Sequence, residues 1–192
     1  ESFGRWLMRC LSSYGIIFID PSDPAIRHLQ KHVFHREIAE SSPSTQAALQ
    51  AIEALEQAGY RPQVPLRDGH LNLFYNDGER IPLEISGDEI IGSKGDLKFT
   101  REGLTEEAGT HPEKFGPNVI LRGITQDVLF PTLAYVGGPA EIAYFGQLRR
   151  VYQHFGVSMP ILYPRKSLTF LEAGVERILK KYDFQMTDLW QN

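Results

Sequence analysis

The chain has 192 residues, of which 42% are hydrophobic and 23% are charged. This balance is typical of one folded globular unit, and it excludes a disordered, fibrous or disulfide-rich protein. The 20 basic and 24 acidic side chains give a net charge of -4, so we expect neither a nucleic acid nor a membrane as a partner. Cys10 is the single cysteine. We expect it to be a buried thiol, and we expect the protein in a reducing cytoplasm.

The first third of the chain predicts three helices around one buried strand. Apolar residues at helical spacing predict a helix over 2–13, and the apolar run 15–19 then predicts the strand. A second helix is expected over 24–40, with Asp23 as its N-cap, and a third over 43–59. This first segment, 1–59, is therefore expected to be part of an α/β core.

From about residue 60 the hydrophobic period changes from 3.6 to 2. Apolar and polar residues alternate over 71–75 and again over 81–85. Tight turns are expected at 76–78, 86–88 and 92–95. A short helix is expected over 101–108. We therefore predict that 60–115 is a small antiparallel β-rich insertion.

The last segment, 116–192, returns to an α/β pattern. Three apolar strands are expected, at 118–121, 133–136 and 160–163. The later two are separated by a helix over 139–155 that Gly156 ends, and a last helix is expected over 168–181. The predicted fold class is thus α/β, with a parallel sheet, flanking helices and an antiparallel insertion.

The turn after the second of these strands is a candidate ligand site. Gly137 and Gly138 lie between the strand and a helix that begins with proline, at the edge of an open α/β sheet where ligands bind. Glu141, in the first helical turn, can accept hydrogen bonds from ribose hydroxyls or from an amine. The alternative is a structural turn in which Glu141 stabilises the helix dipole.

A second candidate site brackets the strand predicted at 118–121. Asn118 lies at its start, and Arg122, Gln126 and Asp127 follow its end. Arg122 can bind a carboxylate bidentately, which suits an acidic substrate. The alternative is an ion pair between Arg122 and Asp127 beside a short helix.

The loop after the last strand is a third candidate site. Arg165, Lys166 and Ser167 suit a phosphate, although a surface cap before the next helix explains them nearly as well. Three histidines follow one another at helical spacing, His28, His32 and His35. No carboxylate or cysteine completes a metal site with them, so we expect a solvated face and no metal site.

Four stretches resemble the cysteine ligases of bacillithiol biosynthesis. They are 15–24 (GIIFIDPSDP), 115–127 (FGPNVILRGITQD), 130–144 (FPTLAYVGGPAEIAY) and 154–165 (HFGVSMPILYPR). The resemblance implies a cytoplasmic enzyme that joins L-cysteine to glucosaminyl-malate in the final step of bacillithiol biosynthesis. It also implies a Rossmann-like, nucleotidyltransferase-like core, and a homodimer formed through a coiled coil that this chain lacks.

The resemblance further implies an ATP-dependent ligase that forms a carbon–nitrogen bond, with ADP as a candidate bound product and Mg²⁺ as a further candidate cofactor. By analogy with class I aminoacyl-tRNA synthetases, the residues expected to bind the nucleotide are Gly137, Gly138, Glu141, Arg165, Lys166 and Ser167. Those expected to face the substrate are Asn118, Arg122, Gln126 and Tyr144. The candidate catalytic residues are Glu141, Arg122 and Asp127.

The chain departs from the family pattern in specific ways. Ala140 stands where glycine is expected, and Gly123 where proline is usual. An early core segment rich in acidic residues and histidine is absent, so the chain is interpreted as the central-to-late part of the core. The alternative is a non-catalytic α/β domain of a larger protein that binds a nucleotide or a sugar acid. A sugar-nucleotide transferase is a further enzyme alternative.

Overall fold

The computed structural model describes residues 3–93 and 97–190. Within them the α-helices are α1 (Phe3–Leu11), α2 (Pro24–Ala39), α3 (Pro43–Gln57), α4 (Arg101–Thr110), α5 (Val119–Leu129), α6 (Pro139–Phe155) and α7 (Ala173–Lys181). The strands are β1 (His70–Asp77), β2 (Glu79–Ser86), β3 (Glu89–Gly92), β4 (Lys98–Thr100), β5 (Phe115–Pro117), β6 (Ala134–Gly137) and β7 (Ile161–Pro164). Short 3₁₀ helices cover Ser12–Tyr14, Pro112–Lys114 and Met186–Trp190.

The middle of the chain forms a five-stranded sheet in the order β4-β3-β2-β1-β5, and each neighbouring pair is antiparallel. Gly78 and Gly87 take positive φ angles of 72° and 63° at the two tight turns, as their lack of a Cβ allows. The antiparallel sheet predicted for this part of the chain is therefore confirmed. Of the turn predicted at 92–95, Lys94 and Gly95 lie outside the described residues.

The second sheet is a parallel pair, β6 and β7, that α6 connects. Its register runs from Ala134 opposite Ile161 to Gly137 opposite Pro164. Helix α6 begins and ends where the sequence predicts, and Gly156 closes it with a φ of 69°. The α/β class, with one parallel and one antiparallel sheet, is therefore confirmed.

One hydrophobic core joins the antiparallel sheet to the helices. It draws residues from all three segments of the chain, among them Val33, Phe34, Leu73, Leu83, Leu104, Ile120, Ile124, Phe145, Leu148 and Tyr152. Helix α2 packs against α4 and α5, and α3 packs against α6. None of the helices in the described ranges is long and apolar enough to cross a membrane.

The helices predicted in the first third are confirmed, with small shifts at their ends. The side chain of Asp23 accepts a hydrogen bond from the backbone N–H of Ala25 and so caps α2. Helix α3 begins at Pro43, as expected. Leu29, an apolar residue of α2, is 59% exposed.

The strand predicted at 15–19 is wrong. This run forms no regular secondary structure, and Ile17 is 83% exposed. A β-strand needs a neighbour for its backbone groups, and the strands described here pair with other partners. Cys10 is also exposed rather than buried, since none of the residues of α1 is buried.

The strand predicted at 118–121 is wrong as well, because these residues begin helix α5. The side chain of Asn118 accepts a hydrogen bond from the N–H of Ile120, which is an N-cap. A short apolar run fits a buried strand or a buried helix equally well. The later apolar residues, Ile124 and Val128, extend the helical period, and this explains the result. The last helix starts at Ala173, not at residue 168.

Candidate functional site

Two adjoining cavities lie where α5 meets the antiparallel sheet. The aromatic cavity, of about 570 Å³, is lined by Phe74, Arg80, Pro117, Asn118, Val119, Arg122, Gly123, Gln126, Tyr135, Glu141, Tyr144 and Phe145. The arginine cavity, of about 600 Å³, is lined by Ile17, Ile19, Pro21, Ser22, Arg27, Gln30, Asn76, Arg80, Gly116, Pro117, Arg122, Thr125, Gln126 and Phe130. Since Arg80, Arg122 and Gln126 line both, the cavities are neighbours.

Helix α5 places three of the predicted site residues at the aromatic cavity. Asn118, Arg122 and Gln126 follow each other at intervals of four residues, so they lie on one side of the helix. The sequence reasoning expected them at the end of a strand. They converge nevertheless, because the same spacing aligns them on a helix.

The ion pair that was the structural alternative for Arg122 does not form. Asp127 instead accepts a hydrogen bond of 2.7 Å from the hydroxyl of Tyr152, and it does not line either cavity. Within 3–93 and 97–190, the side chain of Arg122 forms no hydrogen bond or ion pair. Its guanidinium is therefore available to a ligand, whereas the carboxylate of Asp127 is engaged between α5 and α6.

The side chain of Asn118 is engaged on both of its polar atoms. Its Nδ2 donates to Oδ1 of Asn72 at 2.7 Å, and its Oδ1 accepts from the N–H of Ile120 at 2.9 Å. These bonds fix the start of α5 against β1. Asn118 therefore positions Arg122 and Gln126 at the cavity.

Helix α6 contributes Glu141 and Tyr144 to the same cavity. Glu141 accepts a hydrogen bond of 2.7 Å from the N–H of Gly138 and another of 2.9 Å from the hydroxyl of Tyr135. The first of these is the bond of a capping box. The structural role proposed as an alternative for Glu141 is thus present, while its carboxylate still borders the cavity.

These contacts also shift the pKa values of Glu141 and Tyr135. The N–H of Gly138 and the hydroxyl of Tyr135 lower the pKa of Glu141, and the charges of Arg165 and Arg122 add to this effect. Burial, followed by hydrogen bonds with Tyr144 and Glu141, raises the pKa of Tyr135. Glu141 is therefore a stable anion that accepts hydrogen bonds, and a lowered pKa makes it a weak general base.

The predicted nucleotide residues are only partly brought together. Arg165 lies beside the glycine turn, since a Cβ added to Gly138 would be 2.7 Å from its Nη2, and its Nη1 is 4.0 Å from Glu141. The backbone N–H of Arg165 donates to the carbonyl of Gly137 at 2.8 Å. Lys166 and Ser167 are exposed beyond it.

Sequence reasoning missed two cations at the arginine cavity, Arg27 on α2 and Arg80 on β2. It also missed Tyr135, which binds Glu141. Arg27 and Arg80 are separated by more than fifty residues and belong to no motif with Arg122. Only the tertiary fold places them together, so no local signal could have found them.

Comparisons with known proteins agree with the fold. Residues 1–166 match the family described as bacillithiol biosynthesis BshC, N-terminal Rossmann-like domain. The chain belongs to this family, and its fold is Rossmann-like. The match covers both sheets and both cavities.

Curated relatives support the same family. A protein of Prosthecochloris aestuarii named "Putative cysteine ligase BshC" is 41% identical over 179 residues, which cover 92% of this chain and 31% of that protein. Proteins of the same name from Natranaerobius thermophilus and Koribacter versatilis are 38% and 39% identical, over 92% and 98% of this chain and 32% and 35% of theirs. The chain thus spans about a third of the length of these relatives.

Proposed function

We propose that this chain, a member of the bacillithiol biosynthesis BshC family, forms the ligand-binding part of a cysteine ligase. The reaction joins L-cysteine to glucosaminyl-malate through a carbon–nitrogen bond, with ATP as the activating substrate. The observation that supports this function is the convergence of Arg122 and Gln126 from α5 with Glu141 and Tyr144 from α6 at one cavity. The homodimer, the coiled coil and the cytoplasmic location stay predictions.

The chemistry requires an activated carboxyl group, because a free carboxylate does not react with an amine at a useful rate. Attack of the cysteine carboxylate on the α-phosphorus of ATP releases pyrophosphate. Attack of the glucosamine amine on the activated carbonyl carbon then releases AMP, and the amine loses a proton to a base. Arg165 and Lys166 are the cations that we propose to stabilise the charge developing on the phosphate oxygens.

The residues of the glycine turn fit a ribose or an amine better than a phosphate. The N–H of Gly138 already donates to Glu141, so this donor of the glycine turn is not free for a phosphate. An anion at this place would also meet the charge of Glu141. We therefore assign the phosphates to the side of Arg165, which is exposed and can turn outward. Mg²⁺ stays a prediction.

The test is a calorimetric titration of this chain, and of a full-length relative, with ATP, ADP and glucosaminyl-malate. We expect Glu141→Gln to weaken ATP binding about tenfold, because a hydrogen bond to a charged group contributes about 1.5–3 kcal/mol. Glu172→Gln, at an exposed glutamate outside both cavities, is the matched control. Unchanged ATP affinity in Glu141→Gln, with circular dichroism showing an intact fold, would contradict the assignment.

The second candidate function is a non-catalytic domain that binds a nucleotide or a sugar acid. The favouring observation is that two proposed catalytic carboxylates already hold the fold, Glu141 through Gly138 and Asp127 through Tyr152. The two functions differ in turnover. AMP release that depends on both cysteine and glucosaminyl-malate supports the ligase, and binding without turnover in a full-length relative supports the second candidate.

A further inference from the structure

The arginine cavity gathers three guanidinium groups from three separate elements. Arg27 lies on α2, Arg80 on β2 and Arg122 on α5, and all three line the same space of about 600 Å³. Like charges around one cavity repel one another, and in a low-dielectric environment this repulsion grows. An anion that binds between them would remove the repulsion.

Within the described part of the chain, no carboxylate lines this cavity. The polar residues that line it besides the arginines are neutral, namely Ser22, Gln30, Asn76, Thr125 and Gln126. None of the three arginines forms an ion pair with a carboxylate of the described part of the chain. Asp20, whose charge acts on Arg27, accepts hydrogen bonds from the hydroxyl and the backbone N–H of Ser22.

Contacts with the fold hold two of these arginines in place. Nη1 of Arg27 donates to Gln30 at 3.4 Å, and a Cβ added to Gly116 would lie 3.3 Å from Nη2 of Arg27. The guanidinium of Arg80 lies over the ring of Phe74, 4.3 Å from its centroid. Burial, and then the charge of Arg80, lower the pKa of Arg27, but an arginine stays protonated.

The chemistry of the cavity favours carboxylates over a magnesium-bound phosphate chain. A planar guanidinium binds a carboxylate through two parallel hydrogen bonds, and three guanidinium groups suit two carboxylates. Mg²⁺ bound to phosphates is usually held by protein carboxylates, and the residues that line this cavity include none. We propose that Arg27, Arg80 and Arg122 form a binding site for a dicarboxylate.

This site deepens the proposed function of the neighbouring cavity. The identification of the dicarboxylate as the malyl end of glucosaminyl-malate rests on that function, whereas the binding of a dicarboxylate does not. A ligand that binds to Arg122 can extend past Gln126, which lines both cavities, towards Glu141. The carboxylate of Glu141 would then meet the amine of the sugar.

The experiment is a calorimetric titration of this chain with L-malate at fixed ionic strength, beside L-lactate and pyrophosphate. We expect malate to bind at least about tenfold more tightly than lactate, since lactate lacks the second carboxylate. Arg27→Gln is expected to weaken malate binding about tenfold or more. Arg27→Lys should not restore it, because an ammonium cannot bind bidentately. Arg149→Gln, at an exposed arginine of α6 outside both cavities, is the matched control.

Three results would overturn the proposal: no malate binding by the folded chain, equal weakening by Arg27→Gln and Arg149→Gln, or tighter binding of pyrophosphate with the same dependence on Arg27. Since Arg80 is exposed, Arg80→Gln provides a second variant should Arg27→Gln fail to fold. Failure of the ligase in a full-length relative would leave the malate result standing. Ligase activity without malate binding at Arg27 would contradict this inference alone.

Discussion

Two polar clusters of this molecule differ in how completely the protein provides partners for their ionisable groups. The closed cluster surrounds Glu37, a fully buried carboxylate of α2. It accepts hydrogen bonds from the hydroxyls of Ser42 and Ser44 and from the backbone N–H groups of Ser44 and Asn72. The open cluster consists of the three arginines of the arginine cavity. The comparison teaches that one fold surrounds a buried carboxyl group with hydrogen-bond donors, whereas within the described residues three arginines have no carboxylate in an ion pair. This difference separates a structural cluster from a binding site.

The two clusters are connected through a pair of asparagines. Asn72 donates its backbone N–H to Glu37, and its Oδ1 accepts from Nδ2 of Asn118. Asn118 begins the helix that holds Arg122. The closed cluster therefore fixes the position from which the open cluster binds, and variants of either cluster test this division of roles.

Glu37→Ala is expected to have the largest effect. It leaves buried donors of Ser44 and Asn72 without an acceptor, and each such group costs about 1–3 kcal/mol. We expect the free energy of unfolding to fall by about 3–5 kcal/mol, measured by urea denaturation with circular dichroism. Glu56→Ala, at an exposed glutamate of α3, is the control and should change it by less than about 0.5 kcal/mol. A loss below about 1 kcal/mol in Glu37→Ala would show that the cluster is not structural.

Asn118→Ala is expected to affect both clusters. It removes the N-cap of α5 and leaves Oδ1 of Asn72 without its donor, so the free energy of unfolding should fall by about 1–2 kcal/mol. Malate binding should weaken as well, because the helix that holds Arg122 loses its anchor. Asn76 lines the arginine cavity but caps no helix, so Asn76→Ala serves as the comparison. Unchanged stability in Asn118→Ala would break the proposed link.

The pH dependence of stability tests the state of Glu37. Burial raises its pKa, and the hydrogen bonds from Ser44 and Asn72 only partly oppose this. The folded state therefore binds the proton more tightly than the unfolded state, so the contribution of Glu37 is full below the unfolded pKa and is lost as pH rises through the folded pKa. Urea denaturation from pH 4 to 8 should show wild type losing stability relative to Glu37→Gln as pH rises. A constant difference, or a rising one, would contradict this.

Much of the fold could be predicted from local patterns. The hairpin at Gly78 and the helix from Pro139 to Gly156 each combine a clear hydrophobic period with residues typical of a turn or a helix end. The two strands that were wrong are short apolar runs, which a helix or an unpaired segment fits as well. What decided them was their tertiary surroundings, which the local sequence does not contain.

The candidate site could be predicted only where its residues belong to a local sequence motif. Arg122 and Gln126 are four residues apart in the sequence, so helix α5 places them on one side. Arg27 and Arg80 come to the same cavity from α2 and β2, and nothing in either local sequence indicates it. The engagement of Asp127 by Tyr152 is likewise a tertiary contact.

The smallest expected effect is the change in the free energy of unfolding when an arginine of the open cluster is replaced. Arg122→Ala removes no hydrogen bond or ion pair within the described residues and relieves repulsion by Arg27, so the free energy of unfolding should change by less than about 0.5 kcal/mol. Arg36→Ala is the matched comparison. Arg36 lies 2.8 Å from Glu40 and over the ring of Phe155, and its loss should cost about 1 kcal/mol. If Arg122→Ala were as destabilising as Arg36→Ala, Arg122 would support the fold. Full stability together with lost malate binding is the behaviour of a charge that is kept for a ligand.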